Sequence, residues 1–419
     1  MARPTREIFY GWWIVAASFS ILLITVGIGL YAAPIFLIPL QDHFGWSRAA
    51  IAGGSAVAAL TVGLTSPLIG VWIDRYGPRR VMASGALVLG SAFCLFGAIR
   101  SLWQLYLLNA IGAIGIASVA WIPNQTLISN WFDRKRGRAM GITLAGIGFG
   151  GLTVPPLTAF LIAELGWRRA FAGLGSLVLL VVFTVILALV RSRPEDMGLL
   201  PDGEPVACET PPGDPTHEPL KNLVADGLSL SESLRTGAFW ILSLGHVLWS
   251  FASMSIVGHL PAFLSDQGFE KLAAGAFALA IGFSVVGRVS LGILADRLDK
   301  RWILCLGLIL QALAVLCLFG TPWLAAVFGF VFLFGLGVGG GAVAVPLLIA
   351  ECFGLRAFGK VLGVITISAT LGAAAGPVLT GRIFDVTGSY DLAFALHVAA
   401  FTASAVAIYF LRRPAAVSA

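Results

Sequence analysis

The sequence predicts an all-α membrane protein of twelve transmembrane helices arranged as two six-helix halves. Three observations carry that expectation. Of 419 residues, 58% are hydrophobic and only 11% charged, whereas soluble domains carry about 25% charged residues. Apolar runs long enough to span a bilayer recur along the whole chain. A polar stretch at 191–235 divides six such runs from six more that echo them.

The runs place the first six helices near 12–37, 48–71, 79–99, 103–130, 137–163 and 168–190. The second six fall near 238–264, 272–295, 302–320, 323–350, 359–382 and 389–411. The domains are therefore a bundle at 1–190, a linker at 191–235 and a bundle at 236–419. The N-terminus, MARPTREIFYGWW, places basic residues before an apolar run with no small-residue cleavage site after it. It reads as a retained first helix rather than a signal peptide. The linker is rich in Pro, Asp and Glu, cannot bury a core, and is expected to be flexible.

The net charge of +6 is a topology signal rather than a polyanion site. With both termini cytoplasmic, inner segments hold 20 Lys and Arg, outer segments hold 6, and Arg288 completes the 27. That asymmetry orients the chain with both termini inside, in the cell inner membrane, with the lipid bilayer as its surroundings and no nucleic-acid partner. A monomer is expected. The five cysteines show no metal or disulfide spacing.

The halves match at an offset of 222–223 residues. GVWIDRYGPRR (70–80) answers GILADRLDKRW (292–302), pairing Asp74 with Asp296; Pro123 answers Pro346, Gly141 answers Gly363, and Ala170-Phe171 answers Ala393-Phe394. Four matches at a near-constant offset indicate duplication.

Arg288 lies within the apolar run AFALAIGFSVVGRVSLGILA and is the only charged side chain these boundaries place in the hydrocarbon zone. Such a group costs from about 2.5 to well over 10 kcal/mol. A cation isolated among apolar helices points to an anionic ligand, and a guanidinium offers a planar fork suited to a carboxylate.

Parallel six-helix repeats around a central cavity are the architecture of the major facilitator superfamily, and Gly70 to Arg80 resembles its signature between helices 2 and 3. The resemblance implies a gating role for Asp74, Arg75, Arg79, Arg138 and, in the second copy, Asp296 and Arg297. That copy departs in having Asp299 where Gly77 stands in the first. The run WFDRKRGRAMGITLAGIGFG (131–150) resembles the monocarboxylate transporter signature, with Arg138 and Ile147 replacing its Leu and Ser. FYGWWIV, RPEDMGLLPDG, SLSESLRTGAFW and GPVLTGRIFDVTGSY are similar to further segments of that family, close to its oxalate/formate antiporter group.

The resemblance implies alternating-access transport of a lactate- or pyruvate-like carboxylate, coupled to protons, with Arg288 pairing the carboxylate. Many family members carry an Asp one turn before this arginine and a Lys after a Tyr-x-x-Pro pattern on helix 1. Here those positions hold Ser284 and, after Tyr31-Ala-Ala-Pro34, Ile35. Proton-coupling candidates are Asp266, at the outer end of helix 7, and His246 and His259 on that helix; His397 on helix 12 also titrates in the useful range. Helices 1, 4, 7 and 10 face the cavity in this superfamily, which adds Tyr31 and the cluster Trp121, Asn124 and Gln125 around Pro123 as substrate-lining candidates beside Ser284. The small residues of FGLGVGGGAVAVP on helix 10 favour close packing over a wider cavity.

Two G-x-G-x-x-G runs, at 146–151 and 335–340, lie inside apolar helices and imply no dinucleotide site. No Walker A, H-E-x-x-H or C-x-x-C motif is present, so neither a cofactor nor a metal is expected, and an enzyme is disfavoured. Rival readings are an organic-anion exchanger of the oxalate/formate type and, more remotely, a sensor on a carrier fold.

Overall fold

In the computed structural model, residues 9–203, 227–319 and 323–414 are described. They form the expected two bundles. The first comprises α1 (Gly11–Phe44), α2 (Arg48–Tyr76), α3 (Pro78–Phe96), α4 (Leu102–Trp131), α5 (Arg136–Leu165) and α6 (Trp167–Leu189). The second comprises α7 (Gly237–Asp266), α8 (Glu270–Ala295), α9 (Lys300–Leu316), α10 (Leu324–Phe353), α11 (Phe358–Thr387) and α12 (Asp391–Tyr409). Eleven are long and apolar enough to cross a membrane; α9, with 17 residues, is the twelfth. The chain is thus a multi-pass membrane protein. Helix α2 runs to Tyr76, so Asp74 and Arg75 stand on its last turn rather than in a loop.

Three helices of the first bundle are interrupted: α6 by a π-helical turn at Val178–Val182, and α1 and α4 where backbone chemistry demands it. In α1, a π-helical turn at Gly27–Tyr31 passes into a 3₁₀ turn at Ala33–Phe36. The Ala32 N–H reaches back five residues to the Gly27 carbonyl at 3.0 Å, and Pro34 has no N–H to offer Leu30. In α4 the break falls at Ala120 (φ −92°, ψ −102°). Pro123 deprives the Val119 carbonyl of its donor, and the Asn124 side chain supplies the replacement. Its Nδ2 donates to Val119 O at 2.8 Å and Ala120 O at 2.5 Å. Pro346, the counterpart of Pro123, sits inside an uninterrupted α10.

The linker is less free than its composition suggests. Residues 191–203 fold back on the first bundle: Trp131 Nε1 donates to Arg191 O at 2.9 Å and Asn130 Nδ2 to Ser192 O at 3.2 Å. The Asp202 carboxylate accepts from the backbone N–H groups of Asp133, Arg134 and Lys135 at 3.0, 2.6 and 3.3 Å. At the other end, Leu228 N donates to Phe353 O at 2.8 Å and Ser229 caps a short helix at Leu230–Leu234. Hydrogen bonds to the first bundle and to the Phe353 carbonyl of the second thus engage both ends of the linker. Residues 204–226, with Cys208, lie outside the described residues.

The aromatic opening of the chain has a packing role. Trp131 and Phe132, both fully buried, are flanked by Phe9, Tyr10 and Trp12 at ring-centroid distances of 5.2–5.9 Å. Aromatic groups of this kind bury large areas each, and here they tie the start of α1 to the end of α4.

Candidate functional site between the halves

The two halves meet along α2 with α11 and α5 with α8. Close approach needs glycine at each crossing. A Cβ on Gly70 would strike the Gly359 backbone and one on Gly363 would strike Ser66 O; on the other side, Gly137 faces Gly292 O and Gly141 faces Arg288 O. These contacts are related by the 222-residue offset: 137 to 359, 141 to 363, 70 to 292, and 66 to 288. Arg288 therefore occupies in the second half the place that Ser66 holds in the first.

Asp74 and Asp296, the two acids of the duplicated motif, lie at the end of the bundle that carries the linker. Asp74 accepts from Gly359 N at 3.2 Å and Lys360 N at 3.3 Å, at the start of α11. Asp296 accepts from Gly137 N at 2.6 Å and Arg138 N at 3.1 Å, at the start of α5. Each carboxylate meets the positive end of a helix from the opposite half. Burial raises the Asp296 pKa, and the two N–H groups oppose that shift. Arg79 braces its own half, donating to Leu187 O at 2.7 Å; Arg75 lies over Tyr76 at 5.2 Å, and Arg297 is exposed. Asp299 explains the departure from Gly77: Gly77 has φ +82°, whereas Asp299, at φ −58°, needs no glycine and caps α9 while binding Arg301 at 2.7 Å.

Crossing glycines touch the other half only on the linker side and near the middle. Farther along, Gly150 and Gly151 abut α1, Gly53 and Gly54 abut α4, and Gly372 and Gly376 abut α7, all within their own halves. The structure is closed at the linker face.

Arg288 sits where that closed contact ends. It is 7% exposed, and its Nε and Nη1 are buried without a hydrogen-bond partner. No carboxylate pairs with it among the described residues. Its guanidinium passes over Gly148 of α5, where a Cβ would lie 3.1 Å from Nη1. Behind it, Gly339 of α10 leaves room for the backbone of Ser284 and Arg288. From the first half comes Tyr31, set at the α1 interruption, with its ring against Gly151, on the helix that also holds Gly148. Broken helices at mid-membrane are a recurrent way to build carrier sites.

The other expected residues are placed less centrally. Ser284 is buried, with Oγ donating to Ile281 O at 2.7 Å. Asn124 is fully buried and its amide hydrogens go to the α4 break, with Oδ1 unpartnered. Trp121 and Gln125 are half-buried on the same segment. Asp266 is exposed at the end of α7. His246 packs edge-on to Trp249 at 5.0 Å. His259 has both nitrogens engaged, with Tyr390 Oη at 3.3 Å and Pro377 O at 2.9 Å; His397 meets Thr380 Oγ1 at 3.0 Å. None of these acids or imidazoles contacts Arg288. The glycines of helix 10 pack helices, as expected: Gly335 and Gly339 against α8, and Gly337 against Gly307 of α9.

Sequence reasoning misses Gly148, Gly339 and Asp202. The G-x-G-x-x-G run holds the first of these, and its three glycines serve three neighbours: Gly146 meets α1, Gly148 meets Arg288, and Gly151 meets Tyr31.

The family model described as Major Facilitator Superfamily matches residues 17–298 and 283–419. Mouse monocarboxylate transporter 11 is 30% identical over 411 residues, covering 92% of this chain and 83% of its own. Human monocarboxylate transporter 2 is 25% identical, covering 93% and 82%. The Bacillus subtilis (strain 168) uncharacterized MFS-type transporter YcxA is 24% identical, covering 88% of each. The crystal structure of the human organic anion transporter MFSD10 (TETRAN) superposes with a TM-score of 0.70 at 16% identity, covering 97% of this chain and 100% of the other, which shows a shared fold. The chain belongs to the major facilitator superfamily and, within it, to the monocarboxylate transporter family.

Proposed function

We propose that the protein carries small monocarboxylates of the lactate or pyruvate type by alternating access, with Arg288 binding the carboxylate. The observation that supports this reading most is a buried guanidinium between the halves with two unpartnered nitrogens and no acid beside it. A carboxylate accepts from such a fork through two charge-assisted hydrogen bonds. Pairing also removes the cost of a bare buried cation, which favours closure over the occupied site. One cation suits a monoanion, since the matching place in the first half holds Ser66. We place the linker face in the cytoplasm of a cell whose inner membrane holds the protein, from the Lys and Arg asymmetry. The structure is then outward-facing, with Asp74, Arg75, Arg79, Arg138, Asp296 and Arg297 on the closed gate.

Two coupling modes divide the proposal. Proton symport follows the family pattern, with Asp266, His246 or His259 as the titrating group. Exchange of one organic anion for another is favoured by the lack of any carboxylate beside Arg288 among the described residues. Proteoliposomes decide between them. Lactate or pyruvate uptake into empty vesicles, rising with an inward proton gradient and acidifying the lumen, supports symport; uptake that requires internal anion supports exchange. Arg288→Lys is expected to weaken uptake strongly in either mode. Unchanged saturable uptake by that variant would sink the proposed role.

A further inference from the structure

We propose a binding site for an anionic glycerophospholipid on the outer face of the second bundle, where the start of α9 meets the end of α12. A cavity of about 370 Å³ there is lined by Arg301, Trp302, Tyr409, Phe410 and Arg412, among others. Arg301 is spent within the protein, donating to Asp299 and, through Nη1, to Leu411 O at 2.9 Å. Arg413 is paired with Glu351. Arg412 is exposed and makes no hydrogen bond or ion pair among the described residues. The site thus presents one uncommitted guanidinium beside a second whose charge is shared.

The rest of the lining fits the glycerol and ester region of a lipid. Trp302 and Tyr409 pack edge to face at 5.5 Å, yet both are about half exposed, as is Phe410 to a greater degree. Aromatic groups with a polar handle sit at the membrane interface. From this cavity an apolar surface runs along α9 through Leu306, Ile309, Leu313 and Leu316, all exposed, at helical spacing on one face, and Val406 of α12 is likewise exposed. A phosphate at Arg412 with acyl chains along that surface uses both parts. Inorganic phosphate shares only the first part, so the apolar track favours the lipid. The attraction of a basic residue to an anionic membrane surface acts in the same direction.

The full-length protein, purified in a neutral detergent, is melted with added phosphatidylglycerol, with phosphatidylcholine, and with inorganic phosphate. The expected result is a higher melting temperature with phosphatidylglycerol than with phosphatidylcholine and none of that gain with phosphate. Arg412→Gln is expected to lose most of the difference, while Arg100→Gln, an exposed cation on the first bundle, keeps it. Native mass spectrometry should show retained phosphatidylglycerol on the wild type and less on Arg412→Gln. Equal melting in the two lipids, or an Arg412→Gln protein that still retains phosphatidylglycerol, overturns the proposal. A gain reproduced by inorganic phosphate alone also overturns it in favour of a free-anion site.

Discussion

Replacing Arg288 by Leu separates a binding residue from a structural one through the sign of the stability change. On an insertion scale, Arg at the centre of a span costs about 2.5–3.5 kcal/mol, while Leu contributes about −0.3 to −0.6 kcal/mol. Full exposure to hydrocarbon would make the exchange worth about 3–4 kcal/mol. Arg288 is 7% exposed with two unpartnered nitrogens, and water reaching the remainder lowers the expected gain to about 1–3 kcal/mol. The ligand-free variant should therefore melt a few degrees higher than wild type. An arginine holding protein acceptors behaves oppositely, since breaking a buried pair costs about 3–5 kcal/mol. Carboxylate binding should fall in parallel. Two hydrogen bonds to a charged group at about 1.5–3 kcal/mol each correspond to a loss on the order of 100- to 10,000-fold in Kd. Thermal melts with and without lactate or pyruvate, together with calorimetric titration, read both quantities. A variant that melts several degrees lower yet keeps its carboxylate-induced shift would refute the reasoning.

Asn124→Ala should lower stability by about 1–3 kcal/mol, because two carbonyls at the α4 break lose their shared donor; the melt is expected to drop with carboxylate binding retained. Asp296→Asn weakens two charge-assisted contacts to α5, by about 1–2 kcal/mol in all. Spin labels on the linker-side ends of α5 and α8 should then report a larger separated population than in wild type, and an unchanged distance distribution would count against the gate. Glu195, on the folded part of the linker, has both carboxylate oxygens buried and unpartnered, and burial raises its pKa. A carboxyl with a raised folded-state pKa favours folding while protonated and loses that contribution as the pH rises through the window above the ordinary glutamate value. Glu195→Gln should thus raise the melting temperature at neutral pH, with the gain shrinking as the pH falls to the ordinary value; a gain that is independent of pH would argue against the titration.

The helices and their pairing into halves are legible in the sequence because lipid imposes length and apolarity on every span, and duplication writes the pattern twice. Arg288 stands out for the same reason, as an expensive residue where apolar ones are free. Other parts are illegible because they depend on groups that only folding brings together. Asn124 looks like a cavity residue beside Pro123, yet its amide is consumed one turn away by a carbonyl that the proline leaves without a donor. Asp202 reads as one acid in a polar linker, and only the turn at 133–135 gives it three donors. Gly148 is indistinguishable in sequence from the packing glycines around it, since what it admits is a side chain from another helix.

The same 222-residue correspondence that relates Ser66 to Arg288 relates Gly148 to Thr370. A Cβ on Gly148 would meet Val285 and the Arg288 guanidinium; in the mirror position, Thr370 fills that space and stands against Gly63. The duplicated scaffold therefore contains two equivalent sockets, one open and one plugged by a threonine. Charge resides in a single half, the one whose arginine has glycine rather than threonine facing it. A carrier for a dianion on this scaffold would need the second socket cleared as well as occupied, so an arginine at 66 alone would find no corridor to the centre.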